Sequence, residues 1–156
     1  MANELSTAGV LVKYIVEAAA GTRPSSGYTT IPNIRSTPDL NPEPSSLEVT
    51  DLSDTDYKRF IPGLKSVDGA LPFLASNTNA FQTAWAALVS AYAAGAAATP
   101  AKSTWFEIMI PGMTNSFYFA GVPTALGLAA MDVDAVAEIT GYITPNLITG
   151  WAAKST

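Results

Sequence analysis

Apolar positions along this chain switch between a period of two and a period near 3.6, and the switches divide it into segments. Residues 9–17 are rich in Val, Ile and Leu, with Tyr14 among them, and predict a first strand. Residues 22–46 carry Pro24, Pro32, Pro38, Pro42 and Pro44 among several Ser and Thr. Proline removes a donor and fixes φ, so this stretch predicts no regular ladder or helix. It reads either as a linker or as an extended arm lying against a partner. Leu47 and Val49 then alternate with Glu48 and Thr50, the pattern of a half-buried strand. An acid-rich loop with Asp51, Asp54 and Asp56 follows and ends at Pro62-Gly63.

Residues 67–76 predict another strand, with Pro72 placing it at an edge or a bulge. The one clear helix spans 79–94, with Asn77 or Thr78 as its N-cap. Phe81, Trp85, Leu88, Val89 and Tyr92 share one face at helical spacing, and Gly95 predicts its end. Gln82, Thr83, Ala86, Ser90 and Ala93 make the other face, which has no charge. An amphipathic helix of this kind needs a sheet to cover.

The second half is β-rich. Phe106, Ile108 and Ile110 alternate with Glu107 and Met109, Pro111-Gly112 opens a turn, and Phe117 and Phe119 alternate with Tyr118. This predicts a hairpin with an aromatic inner face. Over 131–143, Val133, Ala135, Ala137 and Ile139 oppose Asp132, Asp134, Glu138 and Thr140, a strand about 40 Å long at roughly 3.3 Å per residue. The remaining residues, with a lone Trp151, read as a tail.

Composition narrows the chemistry. A chain of 156 residues has the length of one domain. Cysteine and histidine are absent, which removes disulfides, thiolate ligands and the commonest general base. Only 13% of residues are charged, about half the usual share, which suits a subunit whose faces are covered by neighbours. The net charge of −5 comes without a basic patch, which argues against direct binding to phosphates. No signal peptide is visible, since Lys13 and Glu17 interrupt the first apolar segment. The Ala-rich window 80–98 lacks the basic anchors of a membrane span.

Asp132, Asp134 and Glu138 form the best acidic group, with Asp132 and Asp134 about 7 Å apart on one strand face. They suit a hard cation or, more simply, a solvated or pore-facing acidic strip. No phosphate-binding glycine loop is present, and the serines have no histidine partner. Trp85 and Trp105 read as core residues. No catalytic device, metal or cofactor is expected.

One succession of short motifs goes further. Glu48-Val49-Thr50, Leu52-Ser53-Asp54 and Gly63-Leu64-Lys65 precede the helix; Pro111-Gly112, Phe117-Tyr118-Phe119-Ala120-Gly121 and Thr140-Gly141 follow it. In order and spacing, over about 47–145, they resemble the tail tube (major tail) proteins of long-tailed bacteriophages. Two departures are the non-alternating Ala70-Leu71-Pro72-Phe73-Leu74 and a longer proline-rich arm.

The resemblance implies a mainly β fold with one flanking α-helix, an antiparallel β-sandwich or barrel in a single domain over 1–156. An extended loop at 22–46 and a C-terminal arm at 144–156 would project from it. It further implies homohexameric rings stacked into a tube that conducts double-stranded DNA as non-specific cargo. Its partners would be a tape measure protein, a tail terminator and baseplate or tail tip proteins. Such a protein belongs to the virion tail, is assembled in the host bacterial cytoplasm, and contacts no membrane. On this reading Asp51, Asp54, Asp56, Lys58, Arg59 and Trp151 are candidates for contacts between rings or subunits. Glu48, Asp132, Asp134 and Glu138 are candidates for the lumen. A ring of six would carry roughly thirty net negative charges, repelling DNA phosphates. The competing classes are another virion component on the same scaffold, such as a tail terminator or capsid decoration protein, and a β-sandwich ligand-binding module.

Overall fold

The computed structural model describes residue 6 and residues 8–156. In chain order its elements are β1 (Leu11–Val16), β2 (Thr29–Ile31), β3 (Ile34–Ser36), β4 (Ser46–Glu48), β5 (Phe60–Pro62), β6 (Leu71–Ser76), α1 (Asn79–Ala96), β7 (Thr104–Met109), β8 (Asn115–Pro123) and β9 (Glu138–Ala153). They fall into two compact units, Pro38–Gly69 and the rest of the chain.

The larger unit is a near-closed barrel of seven antiparallel strands in the order β2-β1-β7-β8-β9-β6-β3. Its two edge strands, β2 and β3, are separated in sequence only by Pro32 and Asn33. The sheet must therefore curl until its edges approach each other. Asn33 sits at φ 63°, a left-handed conformation that asparagine tolerates well.

β7 lies between β1 and β8, so both its edges are paired, and side chains pack on both its faces, so that residues 104–108 are all buried. On the inner face Phe106 stacks on Phe119 at 5.2 Å between ring centroids, and Phe119 stacks on Phe73 at 6.3 Å. This is the aromatic face expected of the hairpin. Val12, Ile108, Ile139 and Ile143 complete it, all buried.

The helix begins where Thr78 Oγ1 accepts the Phe81 backbone N–H at 3.2 Å. Phe81, Trp85 and Leu88 are fully buried, as their spacing predicts. Each contributes about 1.5–3 kcal/mol by leaving water. The indole N–H of Trp85 donates to the Thr124 carbonyl at 2.8 Å, so its one polar atom is satisfied. Gly95 does not end the helix, which runs to Ala96. It is buried in the last turn, where a Cβ would meet Val16 Cγ1 at 2.7 Å. The glycine permits close packing against β1.

The opposite face of β7 and β8 holds a smaller cluster of Trp105, Tyr118 and Ala120, joined by Ile15, Tyr28 and Ala152. Glu107, expected among the polar positions, is fully buried and accepts from Ser116 Oγ at 3.3 Å. Glu17 is also buried, and its carboxylate accepts the Trp105 indole N–H at 2.8 Å and the backbone N–H groups of Gly21 and Ser103 at 3.0 and 3.1 Å. Burial opposes the charge on Glu17, but these hydrogen bonds outweigh it and hold the carboxyl below its ordinary value.

Three expectations need correction. The late strand begins at Glu138, not 131, and continues to Ala153. Residues 131–137 are an exposed loop, because their alternating Val and Ala find no strand to pair with. Residues 144–156 are therefore not a free arm: 143–153 pair along β8, with register shifts at Tyr118/Phe119 and Ala120/Gly121. The proline-rich segment is not structureless either. β2 and β3 fit between Pro24, Pro32 and Pro38, whose spacing holds each strand to three residues. Pro72 lies where β6 has only β9 beside it, since β3 reaches only Leu74 and Ala75. That is the edge position its missing donor requires.

The smaller unit is built on a two-stranded hairpin. Ser46 pairs with Pro62, Leu47 with Ile61 and Glu48 with Phe60.

Candidate functional site

The acids and bases at the hairpin tip are largely engaged with one another. Arg59 donates from Nε to Asp54 at 2.7 Å and from a terminal nitrogen to Asp51 at 2.9 Å. Asp51 also accepts the Ser53 backbone N–H at 2.8 Å and the Ser53 hydroxyl. These bonds, the Ser53 hydroxyl first among them, hold the Asp51 carboxyl below its usual value. Thr50 Oγ1 accepts the Arg59 backbone N–H at 2.9 Å, fastening the base of the tip. Lys58 stands 3.9 Å from Glu48, a weak exposed pair. Asp56 is exposed, with no ion-pair partner among the described residues. The network thus brings Asp51, Asp54 and Arg59 together and leaves Asp56 and Lys58 facing water.

Charge spacing did not reveal the apolar side of this hairpin. Leu52 is fully exposed, Tyr57 and Leu64 are 87% and 89% exposed, and Leu47, Phe60 and Ile61 are about half exposed. The signal available in the sequence was the run Phe60-Ile61-Pro62-Gly63-Leu64, too short to cover itself.

Asp132, Asp134 and Glu138, expected together on one strand face, do not share one. Glu48 lies on β4, Asp132 and Asp134 lie in the loop before β9, and Asp134 has φ 62°. Glu138 opens β9 and accepts from Arg35 of β3. The alternation that placed Asp132 and Asp134 on a strand face was real in sequence but had no neighbouring strand to fix it. No group of three metal-ligating side chains comes together among the described residues.

Trp151 lies on β9 with its ring edge-on to Phe117, centroids 5.5 Å apart, and about half of it remains exposed. It belongs to a longer feature. β6 pairs with β9 over residues 138–143, and β8 pairs with it over 143–153. Residues 144–153 therefore have β8 on one side and, among the described residues, no strand on the other. This edge carries no charged residue and exposes Leu147, Ile148 and Trp151.

Concave surfaces offer less. An open cleft of about 410 Å³ has Ile34, Arg35, Ser36, Thr37, Ile108 and Ile110 in its lining. A second, of about 350 Å³, lies between α1 and residues 125–126. Neither holds a nucleophile beside a base. No described helix is long and apolar enough to cross a membrane. Compared with known proteins, the chain matches no family model and no curated sequence.

Proposed function

We propose that this chain is the tube-forming subunit of a long-tailed bacteriophage tail. Copies close into six-membered rings, the rings stack, and the hollow lumen conducts double-stranded DNA. The observation that carries the reading is the uncharged edge of β9 at residues 144–153, unpaired among the described residues, in a sheet otherwise curled nearly shut. Such an edge is a template for pairing with another chain, and a lone monomer leaves it open to aggregation. Closed rings remove edges of this kind by symmetry.

Three further features support the same reading. The barrel with one packed helix is compatible with the antiparallel sandwich of tail tube subunits. The hairpin at 45–64 exposes apolar side chains along its strands and beside a tip whose Asp51, Asp54 and Arg59 pair with one another, which suits contact between subunits or stacked rings. The low share of charge fits a surface mostly covered by neighbours. In this setting the net charge of −5 per copy keeps DNA moving through the lumen without sticking. The partners that follow are a tape measure protein, a tail terminator and tail tip proteins, with assembly in the host bacterial cytoplasm and residence in the virion.

Sedimentation of the purified protein over a range of concentrations, with negative-stain imaging, tests the proposal. Hollow rings or tubes about 80–100 Å wide, the scale of six domains of this size, are the expected result. Rings that never stack would favour a tail terminator, and a monomer at every concentration would sink the reading.

A further inference from the structure

We infer that the outer edge of β4 in one copy pairs with the unpaired edge of β9 in a second copy, so that each hairpin extends its neighbour's sheet. The inference rests on the assembly reading above and names the two surfaces that meet.

Each surface lacks something that the other supplies. Sheet edges are normally guarded by charged side chains, especially lysine. Residues 144–153 have none, and among the described residues this edge stands without a strand; Pro145 and the two register shifts interrupt it, which leaves Asn146, Leu147 and Ile148 as its open run. The hairpin has the complementary deficiency. A two-stranded hairpin is marginal in water by itself, and every residue of β4 and β5 is exposed. A third strand would pair the outer edge of β4, complete a ladder and set side chains beside Leu47.

Backbone geometry selects β4 as the strand that pairs. Pro62 in β5 has no N–H to give. On β4, Ser45 donates to the Leu64 carbonyl at 3.4 Å and Val49 to the Arg59 carbonyl at 2.9 Å, both inward across the hairpin. Hydrogen-bonding direction alternates along an antiparallel strand, so Ser46 and Glu48 turn their backbone groups outward.

Charge sets the direction. Residues 45–64 contain four acids and two bases, and after Glu138 the only charged residue is Lys154, at the end of β9. A hairpin laid along β9 with its tip toward Ala153 runs β4 parallel to β9 and brings the exposed Asp56 toward Lys154. The opposite direction points the tip at the Glu138–Arg35 pair, where Asp56 gains no net attraction.

The absence of cysteine makes the test clean. One population, carrying an affinity tag, bears Leu47→Cys; untagged populations bear Leu147→Cys, Ile148→Cys or Ala152→Cys. All four positions are exposed or partly exposed, and a thermal melt of each variant checks that it folds like the parent. Tagged and untagged chains are mixed, assembled, oxidised and resolved by mass. The expected result is a tagged–untagged disulfide dimer, strong at one of 147 and 148 and at least fivefold weaker at the other, because neighbouring strand residues face opposite ways. Assemblies that form normally but give no mixed dimer, or equal yields at 147 and 148, would overturn the pairing and leave the tube reading standing. Chains that never sediment above monomer would overturn both.

Discussion

The six-membered ring of Trp85 rests against the backbone of Gly141, so closely that a Cβ there would lie 2.5–2.8 Å from three of its carbons. The helix and β9 meet at this point because one partner is the largest side chain and the other has none. Gly141→Ala should therefore destabilise the fold by about 1–3 kcal/mol through overpacking. Trp85→Ala should cost about 3–5 kcal/mol and leave the Thr124 carbonyl without its donor. In the double variant the alanine at 141 has room, so the two losses should fall short of additivity. Urea unfolding of the four proteins measures this, and strict additivity would show that the contact carries no strain.

Glu17 supplies a pH dependence with a definite sign. Its folded-state pKa lies below the ordinary value of 4.5. The stability it confers is fully present above that value and is lost as pH falls through the lower folded-state pKa. Glu17→Gln should cost about 1–3 kcal/mol at neutral pH, and the gap from the parent should close in acid. Chemical denaturation at neutral and acid pH distinguishes this from a cost that is the same at both.

Truncation after Pro145 should abolish cooperative unfolding rather than merely weaken assembly. It removes the β9 residues paired with 115–120 of β8 and the Ala153 carbonyl that accepts the Tyr118 hydroxyl at 2.7 Å. Circular dichroism of the truncated chain during heating reads the effect directly. A sharp melt close to the parent's would mean that 146–153 contribute little to the barrel.

Deletion of residues 54–59 should leave the barrel's thermal transition within a degree or two of the parent, because they lie in the smaller compact unit. The same deletion should stop sedimenting assemblies from forming, since it removes Tyr57 and the arginine that fastens the tip. Normal tubes from this variant would assign the hairpin no part in assembly.

How much of this was legible in sequence depended on whether the signal was local. The helix face of Phe81, Trp85 and Leu88 and the hairpin of Phe106 and Phe119 were legible because their spacing repeats within a few residues of a cap or turn. β9 was placed too early because Val133 and Ala135 alternate as well as Ile139 does, and only pairing with β6 and β8 decides between them. β2 and β3 were invisible, since three residues between prolines carry no period. Among the candidate contacts, charge pointed to Asp51, Asp54 and Arg59, but sequence does not reveal that they satisfy one another. The exposed Leu52 and Tyr57 and the unpaired edge of β9 depend on what fails to cover them, which no residue pattern records.

The pairing of β1 with β7 also bears on how the chain is made. Leu11 lies opposite Met109, and Val16 opposite Thr104. During synthesis at about 5–20 residues per second, β1 leaves the ribosome several seconds before β7, its longer partner, exists. Throughout that wait β1 has only the three residues of β2 along one edge, in a nascent chain with few charges to keep it apart from others. The other edge of β1 stays open until residues 104–109 emerge, so crowded polysomes and scarce chaperones are the conditions under which yield should fall first.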